Sequence, residues 1–375
     1  MNREEIIHTL ALTRIKGLSQ NVALHLYRSL GGATEVFKLE RIKEHVTPKI
    51  FEKLQQAFES SQTEALHRAE TEVDFCEKKG IRILTLNDEA YPYRLREIPD
   101  PPLAIFFKGN ADFNVKRVIA IVGTRKISEY GKDICHIFLS KIRELSPDTL
   151  ILSGLAYGVD IRAHRACLEN NLPTIGILAH GLDRIYPSMH RDTAVKMVEH
   201  GGLLTEYMTE TNPDKINFVR RNRIVAGMAD ATIVIESAEK GGALITANLA
   251  LDFNREVFAF PGRINDEYSQ GCNKLIAEQK AGLITSATDF LKAMNWDVQE
   301  CKQASPTLTL FPVLNEEEER IWNALEGAQD GITANTLCVQ LNMPIHKIIS
   351  NLSIMVSNGW VKPLTGGRYK LLPVT

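Results

Sequence analysis

Three arginines stand beside an aromatic residue in the segment Phe218-Val-Arg-Arg-Asn-Arg, at the start of an apolar run with helical spacing. Arginines at a helix start are unfavourable against the helix dipole unless an anion offsets them. Proteins that bind single strands combine cations that follow the phosphates with rings that stack on bases. The segment therefore predicts a nucleic-acid contact by Phe218, Arg220, Arg221, Asn222 and Arg223. A solvated basic helix start with Phe218 in the core is the alternative.

Glycines and polar side chains also follow several predicted strands, and they could bind phosphate. Glycine allows close backbone approach, and hydroxyl and free N–H groups donate hydrogen bonds to phosphate oxygens. The residues concerned are Gly123, Thr124, Arg125, Ser153, Gly154, Lys240 and Gly241. Tight turns would explain any one of these glycines. Several such loops at one sheet edge instead predict a site for a phosphate-rich ligand.

Two phosphate-binding motifs are absent from the sequence. There is no G-x-x-x-x-G-K-[ST] segment, and no G-x-G-x-x-G segment follows the first strand of the predicted parallel sheet. ATP hydrolysis and dinucleotide binding therefore lose their usual support. We expect no bound cofactor and no metal, because the six cysteines are scattered without C-x-x-C spacing and without histidines at metal-ligand spacing.

An enzyme acting on nucleotides or phosphorylated sugars is the main alternative function. Acidic and histidine side chains near the predicted strand ends offer acid–base candidates. They are Asp160, His164, His180, Asp183, His190, Glu206 and Glu236. No combination of nucleophile, base and orienting group stands out among them, so we expect no catalytic activity.

The elements that must position these residues alternate between short β-branched runs and helical segments from Val118 onward. This alternation predicts βαβ units and an α/β fold with a mostly parallel sheet covered on both faces. Ligands of such sheets gather at the carboxyl ends of the strands. The loops after Val118–Val122, Leu150–Leu152 and Ala231–Ile235 should therefore lie at one edge.

Flanking segments predict further domains. Residues 1–65 have helical spacing interrupted by glycines, which predicts a small helical domain. Residues 66–298 carry the predicted sheet, and residues 299–314 have the composition of a linker. Residues 315–375 show three helical patterns and two short strands around Gly366-Gly367, the outline of a winged helix.

Composition limits the class of protein. The chain has 375 residues, a net charge of −2 and no apolar run approaching the length of about 20 residues that a membrane span needs. We therefore expect a cytoplasmic location and no membrane partner. Any nucleic-acid site must be a local basic patch, because the surface as a whole is not cationic.

A series of motifs resembles the DNA-processing protein A (DprA/Smf) family. In order, the motifs are Val122-Gly-Thr-Arg, Ser153-Gly-x-Ala-x-Gly-x-Asp, Tyr186-Pro, Glu206-Tyr, Phe218-x-x-Arg-Asn-Arg, Leu244-Ile-Thr-Ala and Phe260-Pro-Gly. The resemblance runs from about Tyr91 to Ile284, and weaker similarity extends over both flanking regions. It implies a Rossmann-like domain that binds single-stranded DNA without strong sequence preference. The resemblance further implies a homodimer that loads a RecA-type recombinase onto DNA during natural transformation. The family has no established catalytic activity.

Two features depart from this resemblance or compete with it. Family members usually carry Ser-Gly-Ser-Leu-Ile-Thr-Ala where this chain has Gly241-Gly-Ala-Leu-Ile-Thr-Ala, so two hydroxyl donors are absent. A sequence-specific regulator using the winged helix is a third hypothesis. Its third helix offers only His346 and Lys347 before an apolar run, and specific base contacts need Arg, Asn or Gln there.

We expect Arg125→Ala and Arg221→Glu each to weaken DNA binding while leaving stability nearly intact.

Overall fold

The computed structural model describes residues 2–296, 314–326, 328 and 330–372. The chain divides into two compact units, Met1–Cys301 and Lys302–Thr375. Of the linker predicted at residues 299–314, only residue 314 is among the described residues. The other predicted domain boundary, at residue 65, falls inside a long helix of the first unit.

The first unit contains nine strands and twelve α-helices within residues 2–296. The strands are β1 (Arg82–Thr85), β2 (Ala104–Gly109), β3 (Val118–Val122), β4 (Leu150–Ser153), β5 (Thr174–Ile177), β6 (Gly201–Thr205), β7 (Ala231–Val234), β8 (Glu256–Ala259) and β9 (Gly282–Leu283). The helices are α1 (Arg3–Leu12), α2 (Gln20–Leu30), α3 (Ala33–Phe37), α4 (Pro48–Lys79), α5 (Tyr93–Arg96), α6 (Glu129–Leu145), α7 (Val159–Glu169), α8 (Arg191–Glu199), α9 (Lys215–Gly227), α10 (Ala243–Asp252), α11 (Gln270–Ala277) and α12 (Ala287–Ala293). Short 3-10 helices span Leu39–Glu44 and Ser188–His190.

All nine strands form one sheet with the order β1-β2-β6-β5-β4-β3-β7-β8-β9. Strands β3 to β9 are parallel, and β1 and β2 add an antiparallel edge. The chain moves outward from β3 through β4, β5 and β6, then returns to place β7 on the other side of β3. The predicted α/β fold with a mostly parallel sheet is confirmed.

Alternating apolar side chains explain why the central strands are buried on both faces. On β3, Val118, Ala120 and Val122 pack into a core that also includes the N-terminal helices. Ile119 and Ile121 point to the opposite core, where α6 and α12 contribute Phe138 and Phe290. Strands with both faces covered are continuous apolar runs, as β3 and β4 are.

The reversal of strand order creates a crevice at the carboxyl ends of β3 and β7. Open parallel sheets bind ligands at such a switch point, because the loops on either side diverge there. The loops that follow β3, β4 and β7 all begin at this edge. Their polar residues are thereby brought together, although they are spread over more than a hundred positions of the chain.

The second unit is small and has its own core. It comprises α13 (Glu316–Glu326), β10 (Ile332–Thr333), α14 (Ala334–Leu341), α15 (Ile345–Ser357), β11 (Val361–Leu364) and β12 (Arg368–Leu371). The three strands form an antiparallel sheet in the order β10-β12-β11. Ile321, Leu337, Ile348 and Leu352 form the centre of its core. Its assignment as a winged helix remains a prediction.

Candidate nucleic-acid interface

An exposed cation and two rings meet at the carboxyl edge of the sheet. The Arg125 guanidinium lies over the Phe218 ring, 5.4 Å from its centroid. The Tyr186 ring lies on another side of Phe218, with centroids 5.9 Å apart and planes tilted by 59°. Arg125 is exposed, Phe218 is half-buried and Tyr186 is 45% exposed. Three separate segments therefore create one basic and aromatic surface.

The loop that presents Arg125 is held by backbone contacts on both sides. The Thr124 N–H donates to the Glu236 carbonyl at 2.7 Å, and the Thr124 carbonyl accepts from the Val159 N–H at 3.1 Å. Gly158 has φ +78°, and a Cβ there would lie 2.1 Å from the Thr124 carbonyl oxygen. Only glycine allows this close approach, so the loop is rigid where it turns the Arg125 side chain outward.

Tyr186 is positioned by a buried histidine. His180 Nε2 accepts a hydrogen bond from the Tyr186 N–H at 3.2 Å, and Nδ1 lies 2.8 Å from the Gly181 carbonyl, to which it can only donate. Burial lowers the pKa of His180, which favours the neutral ring that this pairing requires. The Tyr186–Pro187 peptide bond is cis. His180 is therefore a positioning residue.

Helix α9 carries two further exposed cations. Arg220 is exposed, as the sequence predicted for a contact residue, and Asn222 is half-buried. Lys215 is also exposed and lies three residues before Phe218, which is the spacing of neighbours on a helix surface. The sequence analysis missed Lys215. Its helical spacing from Phe218 was the signal that could have identified it.

Arg221 lies in the interior, in contrast to Arg220. Its side chain is 4% exposed, and Nη1 donates to the carbonyl oxygens of Gly154, at 2.7 Å, and Ile177. Burial lowers the pKa of Arg221, whereas the nearby Asp160 carboxylate raises it. For Asp160, burial raises the pKa and Arg221 lowers it. Arg221 therefore joins the ends of β4 and β5, and its expected role as an exposed contact does not match its position.

Arg223 is likewise engaged by protein groups. It is 8% exposed, its Nη2 donates to Glu206 Oε2, and its Nε lies 3.2 Å from Asp100 Oδ2. Burial raises the pKa of Glu206, and the Arg223 charge opposes that shift. The two acids leave little of the Arg223 charge for a ligand. Arg223 supports the surface from below.

Ser153 and Gly154 also lie beneath the surface. The Ser153 hydroxyl is fully buried and donates to the Ile121 carbonyl at 2.6 Å, which links β4 to β3. Gly154 is buried and its carbonyl accepts from Arg221. Of the loop residues predicted to bind phosphate, Gly123 and Thr124 are half-buried at the crevice and Arg125 is exposed.

The loop after β7 contributes Lys240 and Gly241. Lys240 is exposed and precedes α10, which carries no acidic residue in its first turn. A Cβ on Gly241 would lie 2.2 Å from Ser237 Oγ, so a serine here requires Ser237 to move. The space beside Ser237 therefore fits the glycine of this chain, at a position where family members usually have serine.

The Glu236 side chain lies at the N-terminus of the helix that follows the first strand of the parallel sheet. It is 3% exposed and accepts from Ser128 N–H at 2.9 Å and Ser128 Oγ at 2.5 Å, at the N-terminus of α6. The helix after the first strand of a parallel unit is where dinucleotide-binding sheets hold phosphates. In this protein a side-chain carboxyl group lies at that helix end.

Of the remaining acid–base candidates, His164 and His190 are buried in structural hydrogen bonds, whereas Asp183 is exposed and pairs with Arg184 at 2.8 Å. His164 Nδ1 lies 2.7 Å from the Thr174 hydroxyl, and His190 Nδ1 lies 2.9 Å from the Leu155 carbonyl. Burial, with additional repulsion from Arg221, lowers the pKa of His164 to about 3.

Within the described residues, no group of three or more His, Cys, Asp or Glu side chains could hold a metal ion. In the same part of the chain, no helix is long and apolar enough to cross a membrane.

Comparison with known proteins identifies relatives over most of the chain. The family model of DNA recombination-mediator protein A matches residues 82–295, which is more than half of the sequence. DNA processing protein DprA of Bacillus subtilis is 40% identical over 218 residues, covering 58% of this chain and 72% of the relative. Protein Smf of Escherichia coli is 30% identical over 304 residues, which are 80% of each chain.

Solved structures agree with the sequence matches. DNA processing protein A of Streptococcus pneumoniae aligns with a TM-score of 0.64 at 30% identity, covering 78% of this chain and 98% of that one. The Helicobacter pylori protein aligns with a TM-score of 0.52 at 27% identity, covering 58% and 97%. The resemblance deduced from the ordered motifs is confirmed, and the chain belongs to the DNA recombination-mediator protein A family.

Proposed function

We propose that this protein binds single-stranded DNA at the surface formed by Arg125, Tyr186, Lys215 and Phe218, which we call the stacking surface. The observation that carries the proposal is the exposed Arg125 cation over the Phe218 ring at the switch point of the sheet. Cations beside accessible rings are what single-strand binding requires. Lys240 and the backbone at Thr124 and Gly241 extend this surface.

The arrangement favours a single strand over a duplex. A base can stack on a protein ring only when it is free of its neighbours in the helix. Stacking and phosphate contacts are available to every base, so we expect no strong sequence preference. The Helicobacter pylori relative is described by its single-stranded DNA binding mode, which supports the same assignment here.

The family relationship supports a further role, in which the bound strand is transferred to a RecA-type recombinase during natural transformation. We also propose that the protein acts as a homodimer and without catalysis. Among the acid–base candidates, all except Asp183 are buried or half-buried and engaged by hydrogen bonds or ion pairs within the protein, and the Glu236 carboxylate lies at the N-terminus of α6.

Fluorescence anisotropy tests DNA binding. A labelled oligonucleotide is titrated with the full chain as single strand and as duplex, at two salt concentrations and with excess mononucleotide. Binding should prefer the single strand, ignore the mononucleotide and weaken with salt by a logarithmic slope of about −0.7 per phosphate neutralised. Displacement by the mononucleotide would instead favour the enzyme hypothesis, and a salt-independent affinity would contradict phosphate contacts.

Recombinase loading needs a separate assay. The rate of RecA filament assembly on single strands coated with single-strand-binding protein should rise when this protein is added. Sedimentation equilibrium tests the dimer at the same concentrations. An unchanged assembly rate with intact DNA binding would contradict the loading role and leave single-strand binding standing.

A further inference from the structure

A cavity of about 340 Å³ lies in the segment that follows β5, directly beside Tyr186 in the chain. Two guanidinium groups, one hydroxyl and one carboxylate give it a polar lining. The lining residues are Leu182, Asp183, Arg184, Ile185, Ser188 and Arg191. We call this cavity the arginine pocket.

We propose that the arginine pocket binds a second backbone phosphate of the strand that contacts Arg125 and Phe218. The inference rests on the proposed function and extends it by one subsite. It also gives the bound strand a path, from Phe218 across Tyr186 to Arg191.

The charges of the pocket match a single phosphodiester. Asp183 Oδ2 accepts from Arg184 Nε at 2.9 Å and lies 2.8 Å from Nη2, so these two charges offset each other. Arg191 is exposed and has neither an ion pair nor a side-chain hydrogen bond among the described residues. One uncompensated guanidinium therefore remains beside the Ser188 hydroxyl. Guanidinium groups bind phosphate oxygens through paired N–H donors, which suits a singly charged backbone phosphate.

Contacts between the loops make the pocket continuous with the stacking surface. Arg184 Nη1 donates to Asn212 Oδ1 at 3.0 Å, and the Asn217 side chain donates to the Asn212 carbonyl at 3.1 Å. Asn217 lies on α9, next to Phe218. Tyr186, whose ring faces Phe218, stands between pocket residues Ile185 and Ser188. These contacts connect the pocket residues to the helix that carries Phe218.

Affinity measured against strand length tests this path. The proteins are the wild type, Arg191→Ala and the control Lys196→Ala, an exposed cation on the same helix α8 that does not line the pocket. Oligothymidylates from about 3 to about 16 nucleotides cover the range of single-strand site sizes. We expect Arg191→Ala to bind the longer strands about tenfold more weakly and to lower the salt slope by about 0.7. The shortest strands should bind equally to all three proteins, and Lys196→Ala should match the wild type throughout.

Several outcomes would overturn the pocket assignment. Equal losses in Arg191→Ala and Lys196→Ala would indicate general electrostatic attraction, and wild-type affinity of Arg191→Ala at every length would leave the pocket without a DNA contact. Binding of thymidine monophosphate or inorganic phosphate that depends on Arg191, with oligonucleotide binding unchanged, would assign the pocket to a free phosphate compound. If the wild type binds no oligonucleotide at any length, the proposed function itself fails, which is a different result. Thermal unfolding of each variant verifies that the fold is intact.

Discussion

Helix α9 carries arginines of two kinds within one turn. Arg220 faces solvent, whereas Arg221 and Arg223 are 4% and 8% exposed. The outer arginine has no ion pair among the described residues. The inner arginines contact backbone carbonyls of β4 and β5 or the carboxylates of Glu206 and Asp100.

This difference shows that side-chain type alone does not identify a DNA contact. A buried guanidinium needs protein groups that offset its charge and engage most of its donors, which limits what it can offer a ligand. Arg221 Nε and Arg223 Nη1 are buried donors on these two side chains that have no hydrogen-bond partner among the described residues. An exposed guanidinium keeps its donors available for phosphate. The inner arginines hold the strand ends in place, and the outer cations act from that rigid support.

The largest expected effect is the loss of stability when a buried arginine of α9 is replaced. Arg221→Ala should lower the free energy of unfolding by about 4 kcal/mol, because the buried Asp160 charge and two carbonyl oxygens lose their partner. Urea denaturation at neutral pH measures this loss. Arg220→Ala is the control and should stay within about 0.5 kcal/mol of the wild type. A stable Arg221→Ala protein that has lost DNA binding would instead restore the role expected from the sequence.

A loss of stability at low pH, about half as large, should come from His164. Burial lowers its pKa from 6.5 to about 3, so the folded state favours the neutral ring. The neutral His164 ring therefore contributes to the free energy of unfolding above pH 6.5, and this contribution is lost as the pH falls toward 3. About 2 kcal/mol is lost by about pH 5. Stability of the wild type should therefore fall more steeply between about pH 7.5 and about pH 5 than that of His164→Gln. Parallel pH profiles of the two proteins would show that His164 does not titrate in this way.

Substitutions at the stacking surface should weaken DNA binding and leave the stability of the fold unchanged. Phe218→Ala and Arg125→Ala should each weaken single-strand affinity about tenfold, because one stacked base or one phosphate contact is lost. Arg143→Ala, an exposed arginine at the far end of α6, is the control and should bind normally. Anisotropy titration and thermal unfolding together measure the two properties. Unfolding of Arg125→Ala at lower temperature would place Arg125 among the structural arginines.

The smallest effect should come from the second unit. Replacing Lys347, Lys362, Arg368 and Lys370 together by alanine should change DNA affinity less than about twofold, since we expect no base-reading contacts from this unit. Lys347 already pairs with Glu317 at 2.6 Å. The same anisotropy titration is the measurement. A loss comparable to that of Arg125→Ala would move the DNA site to this part of the chain.

The sequence was sufficient for the sheet and for the edge at which the site lies. The run Val118–Val122 is a strand with the predicted limits, and the predicted strands at Leu150 and Ala231 are present with limits that differ by one residue. Apolar runs of this length between helical segments are enough to specify buried parallel strands. The antiparallel edge formed by β1 and β2 was not predicted, because pairing direction depends on contacts between distant segments.

The site could be predicted only in part. Phe218 and Arg125 lie together at the sheet edge and Arg220 is exposed, while Arg221, Arg223, Ser153 and Gly154 are buried. Adjacent residues on a helix point about 100° apart, so some side chains of Phe218–Arg223 had to be turned inward. Which arginines those would be depended on where Glu206, Asp100 and the ends of β4 and β5 lie.

The sequence by itself determined the family, the parallel sheet and the presence of cations and rings near its carboxyl edge, because local spacing and ordered motifs carry that information. Only the tertiary structure decided which cations remain exposed, that Tyr186 joins Phe218 and that Glu236 lies at the helix N-terminus at Ser128. These facts depend on contacts between segments far apart in the chain. Burial and partner groups, which local sequence does not specify, decide whether a charged side chain serves the fold or a ligand.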